Sequence, residues 1–368
     1  MNRRLARIPL PEEGGARDRA WRVVSAAYAE REPAGRPRRR VWPFLAAAAA
    51  AAVVAAALTS PGMAVLDSIR RAVGVEHAQR ALFSLPTTGR ILAVSPQGGA
   101  WVVHPDGSKR RLGGYRDATW SPHGRFVAAT TPDELRALED NGKVHWSLAR
   151  PGIAWTSWGG SDTDTRIAYT SAGNLRVVAG DGTGDRLLAP SEPGPVAWRP
   201  GSIHDLAYMS GSEVRLQNTD SGKVLWRAPI RGGPPSTAIS WSADGRRLLV
   251  VSRLGLTVFD AGGRELRRLA GSGPAALSPA GDLAYVRRAP AGSSQVVLGN
   301  GRRVFSGTGD FTGLAWSPDG RWLLVAWPTA NQWVFVRVGG RRRIAAAAAI
   351  SRQFGGSFPT IRGWCCAP

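Results

Sequence analysis

From Arg90 to the C-terminus the chain repeats one short pattern seven times. The clearest copies are Trp316-Ser317-Pro318-Asp319-Gly320-Arg321-Trp322-Leu323-Leu324-Val325 and Trp241-Ser242-Ala243-Asp244-Gly245-Arg246-Arg247-Leu248-Leu249-Val250. The residues that open the apolar strand of each copy are Arg90, Arg125, Arg166, Asp205, Arg246, Asp282 and Arg321, at intervals of about 35–41 residues. A unit this small cannot bury its apolar face alone, so a period of this length means one supersecondary unit stacked on its neighbours.

Within each copy an apolar run, a short turn, a second apolar run and an Asp/Asn-Gly turn follow one another. Ile91-Leu92-Ala93-Val94-Ser95 followed by Trp101-Val102-Val103 is one example, and Ile167-Ala168-Tyr169-Thr170-Ser171 followed by Val177-Val178-Ala179 is another. Short runs of Val, Leu, Tyr and Trp bounded by Gly, Pro and Asp read as strands and hairpins. In Ser-Pro-Asp-Gly the Pro presets φ, Asp tolerates the bridge conformation and Gly frees the exit. About four short strands in each unit of roughly forty residues predict an all-β, seven-bladed β-propeller. Six or eight blades stay open, because copy three breaks the turn with Trp158-Gly159-Gly160-Ser161-Asp162 and copy six carries Leu277 in place of Trp.

Later copies are preceded by a short segment ending in Trp or Leu, such as Thr312-Gly313-Leu314-Ala315-Trp316, and copy one lacks it. The missing piece stands at the end, Phe358-Pro359-Thr360-Ile361-Arg362-Gly363-Trp364. It is expected to complete the first blade and seal the ring, leaving only short, protected sheet edges. Trp120, Trp158, Trp198, Trp241 and Trp316 recur at one blade position. That recurrence predicts blade packing rather than a stacking platform for a ligand.

The Trp-Ser-Pro-Asp-Gly-Arg core, over residues 86–364, resembles the WD40-like propeller repeats of TolB-type proteins. The resemblance implies a propeller with a central channel and binding surfaces at its mouths. The terminal Trp-Asp and the Gly-His pair of true WD repeats do not recur. The whole layout of basic tail, Ala-rich segment and propeller is similar to that of membrane-bound proteins of high-GC actinobacteria, a likeness that names no activity.

Before the repeats, residues 41–58 read Val-Trp-Pro-Phe-Leu and then an Ala/Val run ending at Leu58, without charge. As a helix these eighteen residues span about 27 Å, just enough for a hydrocarbon core. Ten of them are Ala, so a buried soluble helix or a cleaved signal segment competes with an anchor. The forty residues in front are too long for a usual signal n-region. Arg36, Arg38, Arg39 and Arg40 precede Trp42, and the positive-inside rule then places the N-terminus in the cytoplasm and the propeller outside. The expected domains are a basic cytoplasmic tail over 1–40 and a single transmembrane signal anchor over 41–60. An amphipathic helix (Met63–Val75) with its connector (from His77) follows over 61–85, and the propeller occupies 86–368. In the tail, Trp21, Val24 and Tyr28 share one face of a helix over 17–32. Docking of a cytoplasmic protein and a helix lying on anionic lipid fit that face equally well.

The net charge of +21 would normally suggest nucleic acid or an anionic membrane. Yet only Lys109, Lys143 and Lys223 among the 48 basic residues are lysines, a skew that reads as codon bias, and the arginines are scattered through the blades. No specific nucleic-acid partner is expected. Neither a G-x-S-x-G elbow, an H-E-x-x-H motif nor a Walker loop is present. His77, His104, His123, His145 and His204 show no paired ligand spacing, and His123 stands where other turns place Asp. Asp162, Asp164, Asp181 and Asp185 lie in Gly-rich loops of copy three and are weak Ca²⁺ candidates beside the plainer reading of Asp-Gly hairpin turns. The adjacent Cys365 and Cys366 offer a vicinal disulfide, an intermolecular bridge or small buried hydrophobes, with a structural role favoured.

No cofactor is expected. The leading reading is a non-enzymatic, membrane-anchored propeller that binds a protein, peptide or envelope component at a channel mouth outside the cytoplasmic membrane. One alternative is a transmembrane regulator whose tail binds a cytoplasmic transcription factor. Another is a propeller hydrolase or lyase with a metal in the channel, which would need residues from several blades to converge.

Overall fold

The computed structural model describes residues 84–366, apart from 162, 191–193, 203, 231–235, 272 and 342. The proposed anchor, the helix bearing Trp21, Val24 and Tyr28, the helix at 63–75 and Asp162 all lie outside the described residues. Among the described residues no helix is long and apolar enough to cross a membrane.

The repeats fold into seven four-stranded antiparallel sheets. The sheet order confirms the expected closure, because Thr360–Cys365 pairs with Arg90–Ser95 as the innermost strand of blade 1. The innermost strands of blades 2 to 7 are Asp117–Trp120, Ala154–Gly160, Val196–Trp198, Ser236–Trp241, Ala275–Leu277 and Gly313–Trp316. Each packs against the next, and Gly313–Trp316 packs against Thr360–Cys365, so the ring is closed. A four-residue helix, α1 (Ile350–Gln353), leads into the closing strand and is pinned by the buried Ile350 and Phe354.

The core is divided as a propeller requires. Seven apolar clusters form among the described residues, each shared by two adjacent blades. The repeated Trp residues belong to these seams, as their recurrence predicts. Trp198 lies so close to Gly159 of the preceding blade that a Cβ there would fall 2.1 Å from the Trp198 Cβ. Its indole N–H donates to the Ser157 carbonyl at 3.1 Å. The odd Trp-Gly-Gly of copy three thus makes room for the next blade's tryptophan. Trp316 repeats the arrangement, donating to the Ala276 carbonyl.

The turn motif is held by its serine. Ser317, wholly buried, accepts the Trp322 N–H at 2.9 Å and donates to Asp319, whose carboxylate takes the Arg321 N–H. Ser242 does the same with Arg247 and Asp244, and Ser121 and Ser278 accept the equivalent N–H. A buried hydroxyl that both donates and accepts satisfies a turn that backbone bonds alone leave open. In six of the seven blades the third and fourth strands also shift register at a bulge. Such bulges twist the exposed outer edge away from pairing with another chain.

Cys365 and Cys366 form a disulfide with each other. Cys366 Sγ lies 3.7 Å from the Pro122 carbonyl oxygen, and Cys365 joins the cluster between blades 1 and 2. The disulfide fastens the end of the closing strand against the turn of the next blade; the two cysteines, both half-buried, thus take the vicinal-disulfide alternative rather than that of small buried hydrophobes.

Candidate functional site at the linker-face mouth

In each sheet the chain steps outward from the channel in antiparallel strands. Turns between first and second strands, and between third and fourth, therefore share one face, here the turn face. Turns between second and third strands and the linkers between blades share the other, the linker face.

The turn face carries most of the histidines and aspartates, and they serve mainly to tie blades together. Arg90, Arg199 and Arg247 each donate to a glycine carbonyl in the next blade's turn: Gly124 at 2.6 Å, Gly245 at 3.0 Å and Gly281 at 2.6 Å. Trp146 and Trp226 reach the carbonyls of Gly180 and Ala261 in the same direction. Part of the basic excess thus cements the ring.

Between blades 3 and 4 Arg186 likewise donates to the Thr219 carbonyl at 2.6 Å, and an ionic cluster is added to this pattern. His204 is buried and has φ +73°, a left-handed conformation uncommon for a residue with a side chain. Its Nδ1 pairs with Asp220. Its Nε2 lies 3.0 Å from an Asp164 carboxylate oxygen, in a geometry that makes no hydrogen bond. Arg166 bridges Asp164 and Asp220, and Arg186 approaches Asp220 at 3.7 Å. Burial alone would raise the Asp220 carboxyl, but the bonds from His204 and Arg166 outweigh it and hold the carboxyl below its ordinary value.

The aspartates considered for Ca²⁺ are spread over separate duties. Asp164 belongs to the cluster just described. Asp181 closes its own turn by accepting the Thr183 N–H and hydroxyl. Asp185 is nearly buried and receives Arg150, Arg176 and the Tyr169 hydroxyl, the last at 2.7 Å. Among the described residues no group of three or more His, Cys, Asp or Glu is gathered as a metal site would require.

The linker face carries a different feature. A cavity of about 460 Å³ opens at blade 1, lined among others by Ser95, Gln97, Tyr115, Arg116, Thr360 and Arg362. Arg116 is exposed, and its side chain has no hydrogen bond or ion pair among the described residues. Arg362, on the closing strand, holds Asp117 of blade 2 at 2.9 Å. Burial pushes the Asp117 carboxyl above its usual range, and Arg362, the Ala118 N–H and the Thr156 N–H offset this only in part. Thr156 belongs to a bulge in the innermost strand of blade 3, where Trp155 and Thr156 lack partners between the Ala154–Thr170 and Ser157–Ala168 pairs. Trp155 takes φ +53°, an outlier for a bulky residue, and its side chain is half-buried. The cavity, Arg362, Asp117 and the bulge form one connected run along the linker-face ends of three innermost strands. Sequence reading missed this run because its members come from three blades. The extra residues before Trp158 were its one visible trace.

No protein-family model matches the chain, and no curated protein matches it. Among solved structures, a chain in "Crystal Structure of Mitotic Checkpoint Complex" is similar with a TM-score of 0.52 at 14% identity, covering 74% of this chain and 86% of that one. A chain of Kuenenia stuttgartiensis hydrazine synthase is similar with a TM-score of 0.48 at 11% identity, covering 60% of this chain and 75% of that one. At such identities a likeness speaks for fold alone. What this chain shares with the mitotic checkpoint chain is the fold, which here is an all-β, seven-bladed propeller.

Proposed function

We propose that this protein is a non-enzymatic, membrane-anchored propeller of the TolB-type kind that binds a protein, peptide or envelope component outside the cytoplasmic membrane. The observation that carries the binding assignment is the linker-face mouth, where an exposed arginine without a side-chain partner among the described residues, a cavity and a strained tryptophan are set on a closed ring. Strain at a single bulky residue persists only where its surroundings enforce it, and such outliers cluster at ligand-binding positions. A ring whose blades are tied by side-chain bonds presents such a mouth with little reorganisation on binding, which favours affinity. The anchor rests on the uncharged run at 41–58 and the arginines before it.

Protease accessibility of the tagged full-length protein in intact cells and in inverted membrane vesicles tests this reading. The propeller should be cut only from outside, and the protein should stay with membranes through an alkaline wash. Cleavage only from the cytoplasmic side, or release by the wash, would overturn it.

A further inference from the structure

The proposed function leaves the chemistry of the ligand open. We propose that the linker-face mouth recognises a carboxylate-bearing, acidic peptide segment. This inference deepens the mouth-binding reading and rests on it.

Three observations point the same way. The cavity lining named above includes two guanidinium groups and no carboxylate. On the neighbouring blade, Asp117 and Glu134 are already engaged by Arg362 and Arg136, and Glu139 by Lys143 and His145 at the turn-face end of its strand. The exposed Asp133 stands in that blade's linker-face turn but does not line the cavity, so an anion entering the cavity meets Arg116 without a carboxylate in the lining. Arg362 also shows the recognition chemistry in miniature, since it already binds one carboxylate through Nη2. A guanidinium presents five N–H donors, so further donors remain for a second acceptor.

The walls of the cavity suit a peptide better than a bare ion. Val94 and Pro96 supply apolar surface, and Gln97 and Thr360 supply groups able to bond a backbone. Gly114, exposed and with nothing within 4 Å of where a Cβ would stand, lets an extended chain approach closely. Trp155 does not line the cavity; it stands beside it in the run, next to Thr156, whose N–H bonds Asp117, in a conformation that glycine would adopt without strain. Such a strained position points to a role in binding, and tryptophan and arginine are the side chains most often dominant in peptide and protein recognition.

The test uses full-length protein in detergent and two fluorescein-labelled peptides, hexaglutamate and hexaglutamine, both amidated, followed by fluorescence anisotropy. Hexaglutamate should bind and weaken as salt is added, and hexaglutamine should bind at least about tenfold more weakly. Arg116→Glu should weaken hexaglutamate by about tenfold or more, whereas Arg110→Glu, on the outer strand of the same blade, should change it by less than about twofold. Trp155→Gly should weaken binding about tenfold without lowering the melting temperature by more than a few degrees, a separation that a purely structural tryptophan would not give. Equal binding of the two peptides would overturn the inference. Equal losses from Arg116→Glu and Arg110→Glu would overturn it too, because diffuse surface charge would then explain the binding. If hexaglutamate fails while a photocrosslinker at Gln97 still traps a partner in cells, the acidic ligand is wrong and the mouth reading stands.

Discussion

Arg362 of the closing strand and Asp117 of the next blade meet at 2.9 Å, so the residue that seals the ring also sets the charge at its mouth. Breaking a partly buried pair from one side leaves the other charge uncompensated. Arg362→Ala should cost roughly 1–3 kcal/mol at neutral pH, the low end reflecting the pair's partial exposure. Adding Asp117→Asn should restore most of the loss, and urea titrations of the three variants would show it.

The Asp185 cluster should make the ring acid-sensitive. Burial raises the Asp185 carboxyl, but Arg176, Tyr169 and Arg150 together hold it below its ordinary value. A depressed carboxyl contributes stability that is present above the unfolded value, near 4, and is lost as pH falls through the folded value. Stability should therefore drop below about pH 4, and Asp185→Asn should be less stable at pH 7 with a flatter acid limb. Tyr169, pushed up to about 12 by burial and by Asp185, stays a donor throughout this range. Thermal melts from pH 3 to 7 would check both slopes.

At His204 the backbone and the imidazole make separable contributions. His204→Ala removes the pairing with Asp220 and keeps a side chain at positive φ, and should cost roughly 2–3 kcal/mol. His204→Gly loses the same pairing but relieves the backbone, and should recover about 1 kcal/mol. Calorimetry on the two variants gives the order directly, and equal losses would mean that the backbone at this position carries no strain.

Ser317→Ala should leave the Trp322 N–H and the Asp319 carboxylate without their buried partner. A loss of about 1–2 kcal/mol is expected, with faster amide exchange at Trp322.

The architecture was legible in the sequence because it depends on local chemistry repeated seven times. The Ser-Pro-Asp-Gly turns, the period and the orphan strand at Thr360–Cys365 led to blade number and closure without any long-range information. The repeated tryptophans were correctly read as packing. Trp-Gly-Gly at Trp158 read as a broken copy, whereas its cause, the indole of Trp198, lies one blade away. The same limit hid the contacts of Asp164 and Arg166 with His204 and Asp220 of the next blade, the arginines that reach across to Gly124, Gly245 and Gly281, and the mouth run from Arg116 to Trp155. Each joins residues whose proximity exists only once blades stand side by side. The role of the turn serine was missed for a different reason. The reading credited backbone geometry, while the deciding factor is a buried hydroxyl with two partners.

The most direct test of the account is site-specific photocrosslinking in living cells. A photoreactive residue would replace either Gln97 on the linker face or Asn141 on the turn face of the full-length protein. The account predicts a discrete crosslinked partner from Gln97, lost with Arg116→Glu, and none from Asn141. Crosslinking from Asn141 alone, or from Gln97 without any dependence on Arg116, would contradict it.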